Sequence, residues 1–165
     1  MLSASEVLVA GSWNPALACD RLTLDYDERH RRRFRYVAEG GTQFLLDLPR
    51  VTVLQEGDGL KLDDGRVIQI AAAPEALLEV RAGSAEALVR LAWHIGNRHL
   101  PAQLAADRIL IREDHVIAAM LEGLGAVVRP VFAPFTPESG AYAHGHGREG
   151  GERAHAYVFT SRQGH

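Results

Sequence analysis

Residues 77–96 read LLEVRAGSAEALVRLAWHIG, and this stretch predicts a strand that leads directly into an amphipathic helix. Residues 77–81 are largely apolar, and Gly83-Ser84 supplies a break followed by a hydroxyl that can accept a hydrogen bond from a free helix N–H. Gly96 is the predicted end of the helix, because glycine is favoured just beyond a helix C-terminus. The apolar residues between them recur at helical spacing and define one buried face: Leu88, Leu91, Ala92 and Ile95.

The pattern of a strand followed by a helix occurs twice between residues 75 and 138. Short strands are predicted at 102–104 and 108–111, and a second helix begins near Asp114 and ends at Gly125. With a last strand at 127–132, the order is βαββαβ, which is that of the ferredoxin-like fold. The predicted inward face of the second helix consists of Ile117, Met120, Leu121 and Leu124.

Residues 1–74 predict an all-β domain. Residues 33–37 alternate with period 2, and residues 43–46 form a second β-rich run. Residues 56–59 and 63–65 enclose a short apolar segment and predict two consecutive hairpin turns, because Asp-Gly pairs supply the positive φ that tight hairpins need. Pro74 marks the predicted domain boundary, since the period changes from 2 to 3.6 shortly after it.

The composition changes again after Phe135, and residues 139–165 are predicted to form a flexible tail. Glycine is frequent there, and the segment has too little apolar surface to offset the entropy lost on ordering it. The predicted class is therefore α+β, with an N-terminal all-β domain, a ferredoxin-like domain and a histidine-containing tail. Four of the eight histidines lie in that tail: His144, His146, His155 and His165.

Composition excludes several classes of function. The 165 residues are 47% hydrophobic, enough for a packed core, and the net charge of -3 argues against general nucleic-acid binding. No apolar run approaches the roughly 20 residues of a membrane span, and residues 1–6 do not resemble a secretion signal, so a cytoplasmic protein is expected. Cys19 is the only cysteine, so a metal site within the chain would use nitrogen and oxygen ligands.

Histidines are the candidate metal ligands. Residues 93–101 read WHIGNRHLP and place His94 and His99 around the predicted helix end. One or two imidazoles cannot saturate a divalent transition metal, so a site here needs ligands from the tail or from a second copy of the chain. The alternative for His99 is a surface histidine or a cap for helix carbonyls, whereas His94 is expected to lie beside the buried stripe.

The other candidates are His115, His144 and His146. Histidine-rich tracts commonly indicate metal binding, and imidazole suits nickel, copper and zinc better than magnesium or calcium. For the tail histidines, the alternative is that a solvated segment is polar by necessity. His115 follows Glu113 and Asp114, and is either a peripheral ligand or a surface histidine paired with these acids.

No catalytic residue is predicted. The chain contains no nucleophile elbow, phosphate-binding loop or HExxH pair, so no enzymatic activity is expected. Arg31, Arg33 and Arg35 are expected to share one face of a strand, which could hold phosphate or an acidic partner, but the acids beside them favour a solvated face. An incomplete histidine site indicates a protein that carries a metal.

Several motifs together resemble a known family. Residues 94–99 read HIGNRH, residues 114–117 read DHVI and residues 134–142 read PFTPESGAY, ahead of the histidine-containing tail. This combination resembles the UreE family of urease accessory proteins, which are nickel metallochaperones. The likeness extends to the N-terminal half, at residues 31–35, 46–50, 57–60, 64–65 and 72–75.

The resemblance implies a site shared between two copies of the chain. It implies a β domain of peptide-binding type, and a ferredoxin-like domain that binds metal and forms a homodimer. His99 matches the final histidine of the family's GNRH motif, its principal metal ligand, which meets its twin across the two-fold axis. His144 and His146 would supply further ligands, and His115 matches a peripheral position, next to Glu113 where some members carry another histidine.

The function implied by the resemblance is delivery of Ni2+ to apo-urease. Other urease accessory proteins, including the GTPase UreG, would be the partners, with no nucleic acid or membrane involved. Cu2+ or Zn2+ would also bind, because nitrogen ligands do not favour nickel over copper. The alternative is a peptide-binding module for assembly of a urease-type complex, with incidental metal binding.

Overall fold

The computed structural model describes residues 1–139, which contain ten strands and two α-helices. The helices are α1 (Ala85–Asn97) and α2 (His115–Gly123). Six strands belong to the N-terminal half: β1 (Leu2–Leu8), β2 (Ala18–Leu24), β3 (Arg33–Val37), β4 (Gln43–Asp47), β5 (Gly59–Leu62) and β6 (Val67–Ala72). Four belong to the C-terminal half: β7 (Pro74–Arg81), β8 (Gln103–Leu104), β9 (Ile109–Arg112) and β10 (Val127–Pro134).

The N-terminal half is all-β, as predicted. Its six strands form one sheet in the order β2-β6-β5-β1-β4-β3, with parallel pairs β1·β4 and β2·β6 and antiparallel pairs elsewhere. Alternate residues of these strands point to one side and form a single core. The buried members are Ala4, Leu22, Leu24, Tyr36, Ala38, Phe44, Leu46, Leu48, Leu54, Leu60, Leu62, Ile68 and Ile70.

One of the two predicted hairpins is present. Residues 63–66 join β5 to its antiparallel neighbour β6, and Gly65 has the positive φ of 90° that the turn requires. The turn at residues 56–59 is not a hairpin, because β4 and β5 are separated in the sheet by β1. The local sequence predicts the turn at residues 56–59 but not which strands pair. Strand β1 lies between β4 and β5, parallel to β4 and antiparallel to β5.

The C-terminal half has the predicted ferredoxin-like fold. Its antiparallel sheet has the order β10-β7-β9-β8, so the fourth and second strands of the βαββαβ unit lie at the edges. Within residues 1–139, no helix is long and apolar enough to cross a membrane. The two helices share one core with the sheet, built from Leu78, Val80, Leu88, Leu91, Ile95, Ile109, Ile111, Ile117, Leu121 and Ala126.

The helix starts follow the sequence more closely than the helix ends. Ser84 caps α1 by accepting from the Ala87 N–H at 3.1 Å, and Asp114 caps α2 by accepting from the N–H groups of Val116 and Ile117. The prediction that Gly96 ends α1 is wrong, because the helix includes Gly96 and continues to Asn97. Leu124 does not face inward as predicted, since it follows the last turn of α2 and is 46% exposed.

The charged run at residues 27–33 is only partly solvated. Arg33 and Arg35 are exposed on β3, but Arg31 precedes the strand, so the predicted three-arginine face is wrong. Arg29 is fully buried within the single turn Glu28–His30. Arg29 lies where the two halves of the chain meet, in contact with Leu54 and Phe135. The sequence around Arg29 does not indicate these contacts.

Glu79 organises the face of the C-terminal sheet that lies opposite the helices. Its carboxylate is 3% exposed and accepts hydrogen bonds from Arg81 at 2.8 Å, Arg108 at 3.0 Å and Arg129 at 2.8 Å. The hydrogen bond from Arg81, helped by the other two guanidinium groups, lowers the pKa of Glu79 from 4.5 to about 2 despite its burial. One carboxylate thereby links β7, β10 and the residue that precedes β9.

We expect Glu79→Gln to remove a pH-dependent part of the stability. The folded-state pKa of Glu79 is depressed, so its contribution is complete above 4.5 and is lost as the pH falls toward about 2. The difference in unfolding free energy between wild type and Glu79→Gln should therefore be largest at neutral pH and shrink across that window. Urea unfolding at pH 7, 4 and 3 measures it, with Glu86→Gln on the exposed face of α1 as control. A constant difference at all pH values would contradict the assignment.

Candidate functional site

The C-terminus of α1 places His99 in an unusual backbone conformation. His99 has φ 57°, and within residues 1–139 it is the only non-glycine residue with positive φ. The Leu100 N–H donates to the Ile95 carbonyl at 3.4 Å, and the His99 N–H donates to the Gly96 carbonyl at 3.0 Å. These two bonds form a Schellman motif, in which His99 occupies the left-handed position just beyond the helix.

The second helix ends in the same motif with glycine at that position. The Ala126 N–H donates to the Leu121 carbonyl at 3.0 Å, and the Gly125 N–H donates to the Glu122 carbonyl at 2.9 Å. Gly125 has φ 92°, a conformation that costs glycine little and other residues about 1 kcal/mol. Histidine therefore stands where the equivalent turn of the same domain uses glycine, and strain of this kind is concentrated at functional sites.

The motif also directs the imidazole away from the core. Leu100, the residue after His99, packs against the cluster that contains Ile95, which is the apolar contact that accompanies a Schellman motif. Gly96, Asn97, Arg98 and His99 are all exposed. The prediction that His99 projects from a turn agrees with this arrangement.

An apolar stripe on α1 leads to His99. Val89 is 68% exposed and Trp93 is 65% exposed, and their spacing of four places them on one helix face, with Gly96 one turn further along. His94 lies beside this stripe, half-buried, with its ring 5.1 Å from the Trp93 ring. This exposed apolar face could be predicted from the sequence, because Val89 and Trp93 do not belong to the set of residues whose helical spacing defines the buried face of α1.

A cavity is lined by the sequence neighbours of His99 and His115. The cavity has a volume of about 300 Å3, and its lining includes Leu100, next to His99, and Asp114, next to His115. His115 is exposed at the first residue of α2. The Asp114 carboxylate is occupied by helix capping, so it is already committed to the backbone.

The described residues do not complete a metal site. Within residues 1–139, no group of three or more His, Cys, Asp or Glu side chains could hold a metal ion. His144 and His146, like all of the predicted tail after Ser139, lie outside the described residues. A metal bound at His99 or His115 would need ligands from outside this part of one chain, as the sequence predicted for any site at residues 93–101.

The chain after β10 forms a packed segment, residues 135–138, which we call the strap. Phe135 is fully buried against Leu77 and Leu110. The Thr136 N–H donates to Gln103 Oε1 at 2.9 Å, and the Glu138 N–H donates to the Ala102 carbonyl at 2.8 Å. Sequence analysis placed the change of composition just after Phe135 and did not identify these contacts.

Arg29 holds the start of the strap from the N-terminal half. Its guanidinium donates to the Leu54 carbonyl at 3.1 Å and to the Phe135 carbonyl. Burial lowers the pKa of Arg29, and the nearby carboxylates of Glu75 and Glu56 oppose that shift. Its charge is thus balanced by nearby carboxylates, and its two terminal nitrogens donate to main-chain carbonyls.

Both halves of the chain match models of the same protein family. Residues 4–73 match the model of the UreE urease accessory protein, N-terminal domain, and residues 75–165 match the model of its C-terminal domain. The chain belongs to the UreE family of urease accessory proteins. This membership confirms the resemblance inferred from the motifs.

Three relatives align with this chain over most of its length and most of their own. The chain is 55% identical over 141 residues to a urease accessory protein UreE of Chelativorans sp., covering 85% of this chain and 89% of the relative. A protein of the same name from Bradyrhizobium sp. strain ORS 278 is 54% identical over 150 residues, covering 89% and 71%. One from Rhodobacter capsulatus is 50% identical over 145 residues, covering 88% and 89%.

The family establishes the general role. UreE proteins are urease accessory proteins, so this chain acts in urease maturation and is not an enzyme, as predicted. The metal, the ligands and the partner proteins predicted from the sequence stay predictions. The geometry at His99 is the observation on which they now depend.

We expect His99→Gly to stabilise the fold and Gly125→Ala to destabilise it. Both residues occupy the same position of the same motif, and the ideal Cβ position at Gly125 has no neighbouring atom within 4 Å. Backbone strain alone should therefore set the two effects, each about 1 kcal/mol in opposite directions. Urea unfolding at one protein concentration measures both. Destabilisation by His99→Gly would show that the imidazole makes a stabilising contact that the described residues do not contain.

Proposed function

We propose that this chain is a nickel metallochaperone that binds Ni2+ at a dimer-interface site containing His99 and delivers it for assembly of the urease metallocentre. Its family membership supports the link with urease maturation. The single observation that carries the metal-binding part is His99 itself: a histidine kept, at a cost to stability, where the equivalent turn uses Gly125. Two hydrogen bonds also fix the backbone from which the exposed imidazole projects.

The donor chemistry supports a borderline transition metal. Imidazole nitrogen suits nickel, copper and zinc, and the single thiol, Cys19, lies on β2 in the N-terminal half. With one principal histidine per chain, the proposed central site needs His99 from two copies. We propose that His144 and His146 supply further ligands and that His115 binds metal peripherally.

The α1 stripe supports a second copy of this chain as the partner across the site. A tryptophan that is 65% exposed, next to an exposed valine on the same helix face, is an apolar surface that a protein interface would cover. The stripe ends at Trp93, six residues before His99. A two-fold axis passing near that end would bring the two imidazoles together.

Delivery requires partners beyond the homodimer. We propose that the chain hands Ni2+ to apo-urease with other urease accessory proteins, including the GTPase UreG, and that its N-terminal β domain binds a peptide segment of a partner. The predicted cytoplasmic location stays part of this proposal.

Nickel titration calorimetry of the full chain tests the metal site. We expect His99→Gly to weaken binding at the central site by about 100-fold or more, since loss of even an outer-shell partner of a metal site costs 10–100-fold. His115→Gln should lose only a peripheral, weaker event, and His30→Gln, an exposed histidine of the N-terminal half, should match wild type. If His99→Gly kept the wild-type stoichiometry and affinity per dimer, the central-site assignment would be wrong.

Sedimentation analysis tests the interface separately. We expect Trp93→Asp to shift the monomer–dimer equilibrium toward monomer, because a carboxylate would be buried without a partner. Val51→Asp, at a residue of the N-terminal half that is 56% exposed, is the matched control and should leave the equilibrium unchanged. A Trp93→Asp protein that dimerised as tightly as wild type would move the interface away from the α1 stripe.

A further inference from the structure

Three arginines converge on the face of the C-terminal sheet that lies opposite the helices. Arg81 ends β7, Arg108 precedes β9 and Arg129 lies on β10, and we call them the arginine cluster. The Arg81 Nε and Arg129 Nη2 atoms both lie 2.8 Å from Oε1 of Glu79, so they are at most twice that distance apart. The Arg108 Nη1 atom lies 3.0 Å from the other oxygen of the same carboxylate. One buried carboxylate thus gathers three guanidinium groups at one place.

The arginine cluster is open to solvent, although the carboxylate that gathers it is buried. The three arginine side chains are each between 42% and 66% exposed. A cavity of about 360 Å3 lies at the cluster, and its lining consists of Glu79, Arg81, Arg129 and the exposed Val127. A small ligand therefore has access to these guanidinium groups.

The positive charge of the cluster exceeds the negative charge that neighbouring residues supply. Glu79 is ionised at neutral pH, because the arginines lower its pKa to about 2. Asp107 accepts a hydrogen bond from Arg81 at 3.0 Å, but its side chain is largely exposed, so water and salt screen its charge. Guanidinium groups held this close repel each other, and a further anion beside them would relieve the repulsion.

The cluster also has hydrogen-bond donors to offer. Within residues 1–139, the guanidinium groups of Arg108 and Arg129 each make one hydrogen bond, which is to Glu79. A guanidinium carries five N–H donors in a planar fork, so each of these arginines can donate to a ligand without leaving Glu79. Because Glu79 already restrains the side chains, less conformational entropy is lost when a ligand binds.

We infer that Arg81, Arg108 and Arg129 form a binding site for a phosphate group, either free or carried by a nucleotide. Donors that approach from three segments of the chain suit a tetrahedral anion, whereas a carboxylate offers its two oxygens in one plane. A phosphate monoester also carries nearly two negative charges at neutral pH, and so gains more from the excess positive charge than a carboxylate does. The inference does not rest on the nickel proposal, because the cluster contains no histidine and lies on the face opposite α1.

Titration of the full chain with inorganic phosphate tests the site, with the arginine side-chain N–H signals followed by NMR. At constant ionic strength, we expect the signals of the arginine cluster to shift along a saturable curve. The signal of Arg90, which is exposed on α1 and paired with Glu86, should stay unchanged. Acetate should bind more weakly than phosphate. Pyrophosphate and ADP, titrated in the same way, distinguish a free phosphate ligand from a phosphate group carried by a nucleotide.

Arginine variants test whether these side chains bind the phosphate. Arg129→Gln removes one guanidinium group, while Arg81 and Arg108 continue to hold Glu79. We expect phosphate binding to weaken about 10- to 100-fold, the loss produced by one hydrogen bond to a charged group, with nickel binding unchanged. Arg108→Gln should act in the same way, so the test does not depend on one variant. Arg129→Lys keeps the charge without the fork and should have an intermediate affinity. Arg90→Gln is the matched control and should bind phosphate like the wild type.

Three results would overturn the inference. Equal shifts with phosphate, acetate and chloride at one ionic strength would show screening without a binding site. Acetate binding as tight as that of phosphate would assign the cluster to acidic side chains of a protein partner instead. Unchanged phosphate affinity in both Arg129→Gln and Arg108→Gln would place the bound phosphate elsewhere. None of these results bears on nickel binding at His99, so failure of this inference is distinguishable from failure of the proposed function.

Discussion

The left-handed turn at the end of α1 is the constraint on which the candidate site depends. A helix must satisfy its last carbonyls, and the Schellman motif does so only if one residue adopts positive φ and the next returns to the core. Leu100 returns to the core beside Ile95, so the residue before it must be left-handed whatever its side chain. Because that residue is His99, backbone hydrogen bonds and the packing of Leu100 fix the point at which an exposed imidazole leaves the main chain.

The same reasoning shows where sequence analysis succeeded and where it did not. The order βαββαβ follows from apolar spacing and from the caps Ser84 and Asp114, which are local signals. The end of α1 was misplaced because glycine is the usual left-handed residue and Gly96 stood near the right place. The position of the turn is set by Leu100, because Leu100 packs against the core. This tertiary contact is not visible in the local sequence. Local sequence rules favour glycine in a left-handed turn because it has the least backbone strain there. This chain has His99 at that position, at a higher conformational cost.

Long-range contacts account for the remaining differences. Arg29 is separated from Phe135 by more than a hundred positions, and neither the charged run around one nor the prolines around the other indicates that they meet. Gln103 likewise lies in a two-residue strand with no periodicity to interpret. Glu79 alternates with the buried residues Leu78 and Val80 of β7, which puts it on the opposite face of the sheet, but its contacts with arginines of other segments depend on tertiary structure.

In the proposed function, the distribution of ligands has a consequence for release. A site in which one chain held all ligands would bind nickel whatever the state of its partner. The described part of one chain contains no group of three donors, so in the proposed site further ligands would come from a second copy or from the tail. Under that proposal, loss of any one source of ligands would lower the affinity for nickel, so a change in the number of ligands at the site would be sufficient for release.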